Sequence, residues 1–257
     1  MKKLMIAASA ALCAAVSFGA ALTSANTVGY ASNQLDDDYG SVLLTPQFVG
    51  VANAGGLTLG NIRPVSSSDE YTVGDGDVDI QFLDNGGYTI EDKWFVWDGA
   101  KWVYMNGGAD ASSFVIPVGA GVSVACGVDP DDAIITLQSL GEVATSDTLI
   151  SLDEDYGSVI AGNPYPVSRT LGQFALEVNE GSDYEIGDGD VDIQFLDNGG
   201  YTIEDKWFVW DGAKWVYMNG GADASSFEIK SGEAVSVACG VDPDDAIVTL
   251  RIPAPAL

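Results

Sequence analysis

The sequence predicts an all-β protein made of two tandem homologous domains, each a β-sandwich or a barrel-like fold. Residues 74–114 reappear without a substitution as residues 187–227, and such a self-match indicates a repeated structural unit. Short runs rich in Val, Ile, Tyr and Trp are separated by Gly, Asn and Asp, which is the pattern of closely spaced strands. The chain shows no long helical periodicity, and its 31 glycines among 257 residues further disfavour helices.

The repeat extends on both sides of the identical segment. Residues 115–137 align with 228–250, and residues 35–42 align with 152–159 at a different offset, so the first copy carries four extra residues between these blocks. We predict one domain over 27–140 and another over 141–257, each close to the usual size of about 100–150 residues. The segments 43–73 and 160–186 differ most between the copies.

Strands of the first copy are expected near 28–35, 41–45, 48–52, 58–62, 78–83, 88–97, 101–105, 114–118, 121–127 and 133–138. Asp84-Asn-Gly-Gly87 and Asp98-Gly-Ala-Lys101 predict tight hairpin turns, because Asn and Gly tolerate the positive φ that such turns need. In the strand that follows Asp75, we expect Val78, Ile80 and Phe82 to face the core. Asp77 and Asp79 would then face water on an edge strand, where charges oppose aggregation.

The first 25 residues predict a signal peptide. Lys2 and Lys3 precede an apolar run, and small residues follow that run, as in a cleaved secretory leader that is too short to span a membrane. We therefore expect an exported protein, located outside the cell, at its surface or in the periplasm, with no membrane span.

The net charge, the hydrophobic content and the cysteines limit the possible partners, the degree of order and the disulfide bonding of the chain. The formal net charge of −28 repels phosphate backbones, so the sequence argues against nucleic-acid partners. A hydrophobic content of 47% with six tryptophans predicts a buried core rather than disorder. Cys126 and Cys239 occupy equivalent positions of the two copies, and equivalent points of separate domains rarely come within disulfide reach. Two buried free thiols are expected.

An aromatic hairpin at residues 94–104 is the strongest candidate for a ligand site. If Trp97 pairs with Trp102 across the turn, alternation places Phe95, Trp97, Trp102 and Tyr104 on one face of the hairpin. Exposed, these rings would stack on sugar rings; buried, they would form the main cluster of the core. The candidate residues are Phe95, Trp97, Trp102 and Tyr104, with Phe208, Trp210, Trp215 and Tyr217 in the second copy.

The acidic segment Asp75-Gly-Asp-Val-Asp79 suggests a calcium-binding site, because calcium prefers carboxylate and carbonyl oxygens. It is not an EF-hand loop, because position six is Ile80 rather than Gly and position twelve is Gly86 rather than Glu. A looser calcium site and a solvated acidic strand remain alternative interpretations, and no other cofactor is indicated. The candidate ligands are Asp75, Asp77, Asp79, Asp84, Asp188, Asp190, Asp192 and Asp197.

Nothing in the sequence indicates catalysis. The chain contains no histidine, which excludes Ser-His-Asp and Cys-His arrangements and zinc sites built on histidine. We predict that the protein is not an enzyme.

Three elements of the second copy occur in a fixed order: Ile160-Ala-Gly-Asn-Pro-Tyr-Pro166, Trp210-Asp-Gly-Ala-Lys-Trp215 and Ile229-Lys-Ser-Gly-Glu-Ala-Val235. This set resembles poorly characterised β-rich repeat modules of secreted bacterial proteins. The likeness covers most of the second copy, whereas the first copy lacks the Asn-Pro-Tyr-Pro element. It implies an exported β module and supplies no activity or binding residues.

These observations favour a secreted, non-enzymatic protein with a structural, adhesive or surface-display role. The alternative is a tandem carbohydrate-binding protein that uses the two aromatic hairpins, because duplication raises avidity without new contacts. The expected partners are glycans or other surface proteins.

Overall fold

The computed structural model describes residues 28–35, 41–50, 55–84, 86–152, 157–197 and 199–255. The predicted signal peptide, residues 1–25, lies outside this part of the chain. The all-β prediction is confirmed: the described residues form twenty strands and two three-residue 3-10 turns. Neither turn, nor any other helical segment among the described residues, has the length and apolar character needed to cross a membrane.

The strands of the first copy alternate with turns along its whole length. They are β1 (Val28–Leu35), β2 (Ser41–Leu44), β3 (Gly56–Thr58), β4 (Ile62–Ser66), β5 (Asp75–Leu83), β6 (Thr89–Asp98), β7 (Trp102–Tyr104), β8 (Val115–Pro117), β9 (Val122–Cys126) and β10 (Ile135–Glu142).

The second copy repeats this order strand for strand. Its strands are β11 (Thr148–Leu152), β12 (Ser158–Gly162), β13 (Arg169–Thr170), β14 (Ala175–Val178), β15 (Asp188–Leu196), β16 (Thr202–Asp211), β17 (Trp215–Tyr217), β18 (Glu228–Ile229), β19 (Ala234–Cys239) and β20 (Val248–Ile252).

Each copy forms the same three antiparallel sheets. In the first copy the strand orders are β2-β9-β5-β6-β7, β1-β10-β4 and β3-β8, and the second copy has the equivalent orders. Apolar side chains from the five-stranded and three-stranded sheets pack into one shared cluster in each copy. One cluster contains buried residues from Leu35 to Val143, and the other contains buried residues from Ala144 to Ile252.

Two predicted strands are wrong. The segment 48–52 makes only a single bridge, between Val49 and Glu142, within its described residues 48–50. The segment 58–62 holds a 3-10 turn, Leu59–Asn61, between β3 and β4. Leu59 is buried, and its N–H donates to the Phe114 carbonyl oxygen (2.9 Å), one position beyond the β3–β8 pairing; the Ile62 N–H then donates to the Leu59 carbonyl oxygen and closes the turn.

The expected edge position of the acidic strand is also wrong. β5 lies between β9 and β6, so it is the central strand of its sheet. Val78 and Ile80 are fully buried, as predicted, and Phe82 packs against the core. Asp79 points to the opposite face, where neighbouring strands leave it half-buried instead of freely solvated.

The two copies meet through a reciprocal contact. Thr45 N donates to the Gly232 carbonyl oxygen (2.9 Å), and Gly162 N donates to the Gly119 carbonyl oxygen (3.0 Å). Isolated bridges repeat the exchange: Leu44 pairs with Glu233, and Ala161 pairs with Ala120.

The strand registers show that these are the same contact made in both directions. Leu44 on β2 pairs with Val122 of β9, and Ala161 on β12 pairs with the equivalent Val235 of β19. A contact in which each partner offers the same surface is isologous, and it relates the partners by a local two-fold axis.

Glycine permits this close approach. A methyl group at Gly162 would collide with the Glu233 carbonyl oxygen and with Thr45 Oγ1. Glu233 belongs to the same copy as Gly162, whereas Thr45 lies across the junction, so the packing of Thr45 against Gly162 leaves no room for a side chain at that position.

Candidate functional site

The aromatic hairpin has the predicted register. Phe95 pairs with Tyr104 and Trp97 with Trp102, and the second copy has the same pairs. The Asp98 carboxylate closes the turn by accepting hydrogen bonds from the backbone N–H groups of Lys101 (2.8 Å) and Ala100 (2.9 Å). The same two hydrogen bonds lower the pKa of Asp98.

The rings of this hairpin belong to the core, so the interpretation as an exposed platform is wrong. Phe95 and Trp102 are 0% exposed, and Trp97 is buried with them. The Trp102 indole N–H donates to the Ile62 carbonyl oxygen (2.8 Å), which ties the hairpin to the opposite sheet. Trp97 and Trp102 meet edge to face at 71°, and coplanar stacking on a sugar would need parallel, exposed rings.

The second copy repeats this burial. Phe208 and Trp215 are buried, and Trp210 is half-buried against Trp215. The Trp215 indole N–H donates to the Phe174 carbonyl oxygen (3.0 Å). Tyr104 and Tyr217 alone among the eight predicted rings combine partial exposure with a position at the edge strand of the sheet.

Asp77, a predicted calcium ligand, closes a turn instead. Its Oδ2 accepts hydrogen bonds from the Tyr71 hydroxyl and from Gly74 N, both at 2.7 Å. The hydrogen bond to the carboxylate, with burial, raises the pKa of Tyr71 to about 12. Asp190 makes the equivalent contacts with Tyr184 and Gly187, and the pKa of Tyr184 is likewise raised to about 12.

Asp84 closes the hairpin between β5 and β6. Its Oδ1 accepts hydrogen bonds from Gly86 N (2.9 Å) and Tyr88 N (2.8 Å), which is the bonding of an Asx turn. Asp197 does the same for Gly199 and Tyr201 in the second copy.

Asp79 belongs to a side-chain network on the outer face of the sheet. Its Oδ1 accepts a hydrogen bond from Gln81 Nε2 (2.6 Å), and Gln81 Oε1 accepts one from the Thr89 hydroxyl. Burial raises the pKa of Asp79, and Gln81 together with the nearby Trp94 indole partly opposes that effect. Asp192 has the equivalent surroundings and the same direction of pKa shift.

The eight predicted calcium ligands are therefore not brought together. Asp75 and Asp188 are exposed at the start of β5 and β15, and the other six serve turns or the side-chain network. Within the described ranges, no group of three or more His, Cys, Asp or Glu residues could hold a metal ion. Calcium binding stays a prediction that titration must test.

The cysteine prediction is confirmed. Cys126 and Cys239 are free and buried at the ends of β9 and β19. Burial raises the pKa of both thiols, which keeps them in the unreactive protonated form.

The Asn-Pro-Tyr-Pro element anchors the core of the second copy. Asn163 and Tyr165 are fully buried. The Asn163 side-chain amide donates to the Val167 carbonyl oxygen (2.7 Å), and the Tyr165 hydroxyl donates to the Ser146 carbonyl oxygen (2.7 Å). These polar groups are satisfied by the backbone of three separate segments, since Asn163 also reaches the Ile229 carbonyl oxygen.

Arg169 is the one buried cation described in the second copy. It is 8% exposed, and its guanidinium carbon lies 5.2 Å from the centre of the Tyr165 ring. Its Nε and Nη2 atoms are buried without a hydrogen-bond partner. The equivalent residue of the first copy is Leu57, since Leu57 pairs with Ile116 and Arg169 pairs with Ile229.

A pocket beside the aromatic hairpin occurs in both copies. In the first copy its volume is about 450 Å³, and in the second it is about 500 Å³. A larger cavity of about 550 Å³ lies where the copies meet, beside residues 142–149. The duplicated pockets are lined by Glu91, Asp92, Tyr104 and Asn106, and by Glu204, Asp205, Trp207, Tyr217 and Asn219.

Sequence reasoning missed most of this pocket. Tyr104 and Tyr217 were predicted, but Glu91, Asp92 and Asn106 were not. The local sequence around these three residues does not distinguish a pocket wall from a solvated strand. The signal that could have found the pocket is the pair of consecutive acidic residues, Glu91 and Asp92, in a strand whose later residues alternate between the core and the surface. Comparison of this chain with protein-family models, with curated proteins and with solved structures finds no match.

Proposed function

We propose that this chain is a secreted, non-enzymatic protein of two tandem β domains with a structural, adhesive or surface-display role. The observation that carries the proposal is the use of the identical segment. Its aromatic rings fill the core, and its aspartates close turns. A segment kept for folding in both copies suits a scaffold whose function is to hold its shape.

Two further features support this role. The reciprocal junction joins the copies through backbone hydrogen bonds, which favours a fixed spacing between them. The net charge of −28 keeps such a scaffold dispersed and away from anionic surfaces.

Export is tested by expressing the full chain in a bacterial host and sequencing the N-terminus of the processed product. We expect processing near Ala21 or Ala25 and recovery outside the cytoplasm. A matched variant with Ala11→Asp and Leu12→Asp interrupts the apolar run and should remain unprocessed. An unprocessed wild-type chain in the cytoplasm would contradict the proposal.

The adhesive and display roles are tested on cells of the producing organism. Surface labelling of intact cells should reach the protein, and purified mature chain should bind the same cells saturably. A protein that is neither labelled on cells nor bound by them would remove both roles and leave a freely diffusing one.

Carbohydrate binding is the second candidate, and it now depends on different geometry from the predicted platform. The half-exposed Tyr104 and Tyr217 beside open pockets are the observation that favours it. Titrating a broad panel of soluble glycans while following tryptophan fluorescence tests it. No response across the panel would remove this candidate.

A further inference from the structure

We propose that the duplicated pocket binds a primary ammonium group, carried by a lysine side chain or by a free amine. The pocket of the first copy is lined by Glu91, Asp92, Tyr104 and Asn106, and its equivalent is formed by Glu204, Asp205, Trp207, Tyr217 and Asn219. The inference does not depend on the scaffold role, since a scaffold could display these pockets empty.

The charged groups of the wall are all carboxylates, which accept hydrogen bonds and donate none. Glu91 and Asp92 are adjacent exposed carboxylates at the start of β6. The Asn106 amide donates its N–H groups to the Glu91 carbonyl oxygen and to Glu91 Oε1, both at 3.3 Å. The amide oxygen is left to accept. An ammonium group has three donors and no acceptor, so it complements this wall better than a hydroxyl or a carboxylate does.

The aromatic part of the wall favours the same ligand. Tyr104 is partly exposed beside the carboxylates, and Trp207 adds a second ring to the pocket of the second copy. The face of an aromatic ring attracts cations through its quadrupole. Carboxylates and rings together attract an organic cation, while the acidic surroundings repel an anion.

No cation of the described chain already fills these pockets. The neighbouring Lys93 extends over the Phe82 ring, with Nζ 5.7 Å from its centre, and Lys206 extends over Phe195 at 5.4 Å. The four ion pairs among the described residues involve Lys101, Lys214 and Arg251 as cations and none of the pocket acids.

Two equivalent pockets on one chain predict a bivalent ligand. A peptide with two spaced lysines that reaches both would bind with avidity exceeding the affinity of either site, whereas a single amine would occupy each pocket independently. This distinguishes a lysine-rich partner from a free amine.

The test is calorimetric titration of the full mature chain with butylammonium and with short oligolysine peptides, with neutral hexasaccharides and glutarate as comparison ligands. We expect saturable binding of butylammonium at two equivalent sites per chain, and no binding of glutarate. Absence of saturable ammonium binding would overturn the proposal, as would tighter binding of the neutral sugars at the same sites.

Charge-matched variants separate the pockets from general electrostatics. Glu91→Gln, Asp92→Asn, Glu204→Gln and Asp205→Asn together should weaken butylammonium binding at least tenfold. The control removes four exposed acids elsewhere, through Asp69→Asn, Glu70→Gln, Asp183→Asn and Glu185→Gln, and should change it less than twofold. Equal loss in both variants would show diffuse attraction and refute the site.

A milder variant guards against misfolding. Glu91→Gln with Asp92→Asn alone leaves the second pocket intact, so the stoichiometry should fall from two to one while the melting temperature stays unchanged. A stoichiometry that stays at two would overturn the assignment of these residues.

Discussion

Each copy contains a segment that is identical in the two copies and a segment that diverges, and the two kinds of segment have different structural roles. The identical segments are 74–114 and 187–227, and the divergent segments are 43–73 and 160–186. The identical segments form the same strands and turns in both copies, and Phe95 and Trp102 are buried just as their equivalents Phe208 and Trp215 are. The divergent segments supply residues that differ in the core, such as Leu57 and Arg169, and part of the junction, where Thr45 stands opposite the equivalent Gly162. The identical residues are those that each copy needs in order to fold, whereas the divergent residues give each copy its own core packing.

One pair of residues shows the difference. Phe48 lies four residues after Leu44 and Tyr165 lies four residues after the equivalent Ala161, and both are buried. Phe48 fits an apolar space where glycines at 29 and 141 leave room for its ring. Tyr165 instead carries a hydroxyl, which the Ser146 backbone satisfies. The same packing position is filled by apolar contact in one copy and by hydrogen bonding in the other.

The largest expected effect tests the identical segments. Trp102→Ala and Trp215→Ala should each lower the free energy of unfolding by about 3–5 kcal/mol, because each removes a fully buried ring. Urea denaturation measures it. Tyr88→Ala, at a side chain that is 75% exposed, is the control and should change stability by less than about 0.5 kcal/mol. Tryptophan variants as stable as this control would contradict the account.

The junction comes next. Gly162→Ala should lower the free energy of unfolding by about 1–3 kcal/mol, because the new methyl group collides with Thr45 Oγ1 across the junction and with the Glu233 carbonyl oxygen within its own copy. Gly74→Ala is the matched control, since a methyl group there meets only ordinary contacts. Thermal melts measure the midpoints of both variants, and equal midpoints would argue against close packing of Thr45 and Glu233 around Gly162.

Placing a residue of the first copy at the equivalent position of the second tests what the divergent segments contribute to stability. Arg169→Leu installs the residue that the first copy has at the equivalent position. It should raise the free energy of unfolding by about 1 kcal/mol, because a buried guanidinium with two unpartnered nitrogens costs more than an apolar side chain. Denaturant midpoints measure the change. A clear loss of stability would mean that Arg169 has a partner when the chain is in solution.

The smallest expected effect is on the ionisation of tyrosine hydroxyls. Asp77 and Asp190 raise the pKa of Tyr71 and Tyr184 to about 12, and burial also raises the pKa of Tyr165, so absorbance should show these three tyrosines ionising above the usual value of about 10. Since the folded pKa is the higher one, this stabilisation is complete below pH 10 and is lost as the pH rises through about 12. Asp77→Asn with Asp190→Asn should return Tyr71 and Tyr184 to ordinary titration; an unchanged profile would contradict the assignment.

The sequence predicted what local pattern controls. Alternation gave the hairpin register and the shared face of Phe95, Trp97, Trp102 and Tyr104, and glycine-rich text gave both turns. Pattern could not tell whether that face met solvent or the opposite sheet, because burial depends on strands distant in sequence such as β4. It also misplaced β5 at an edge, since sheet order is set by pairing with β9, more than thirty residues away.

The central claim is that the identical aromatic segment builds the core. Quenching of native tryptophan fluorescence by acrylamide, a neutral quencher that the net charge of −28 does not repel, tests it most directly, since all six tryptophans of the chain lie in the two hairpins. We predict blue-shifted native emission that acrylamide quenches much less than it quenches the red-shifted emission of the chain unfolded in urea. Native emission that is already red-shifted and strongly quenched would place these rings in solvent and contradict the account.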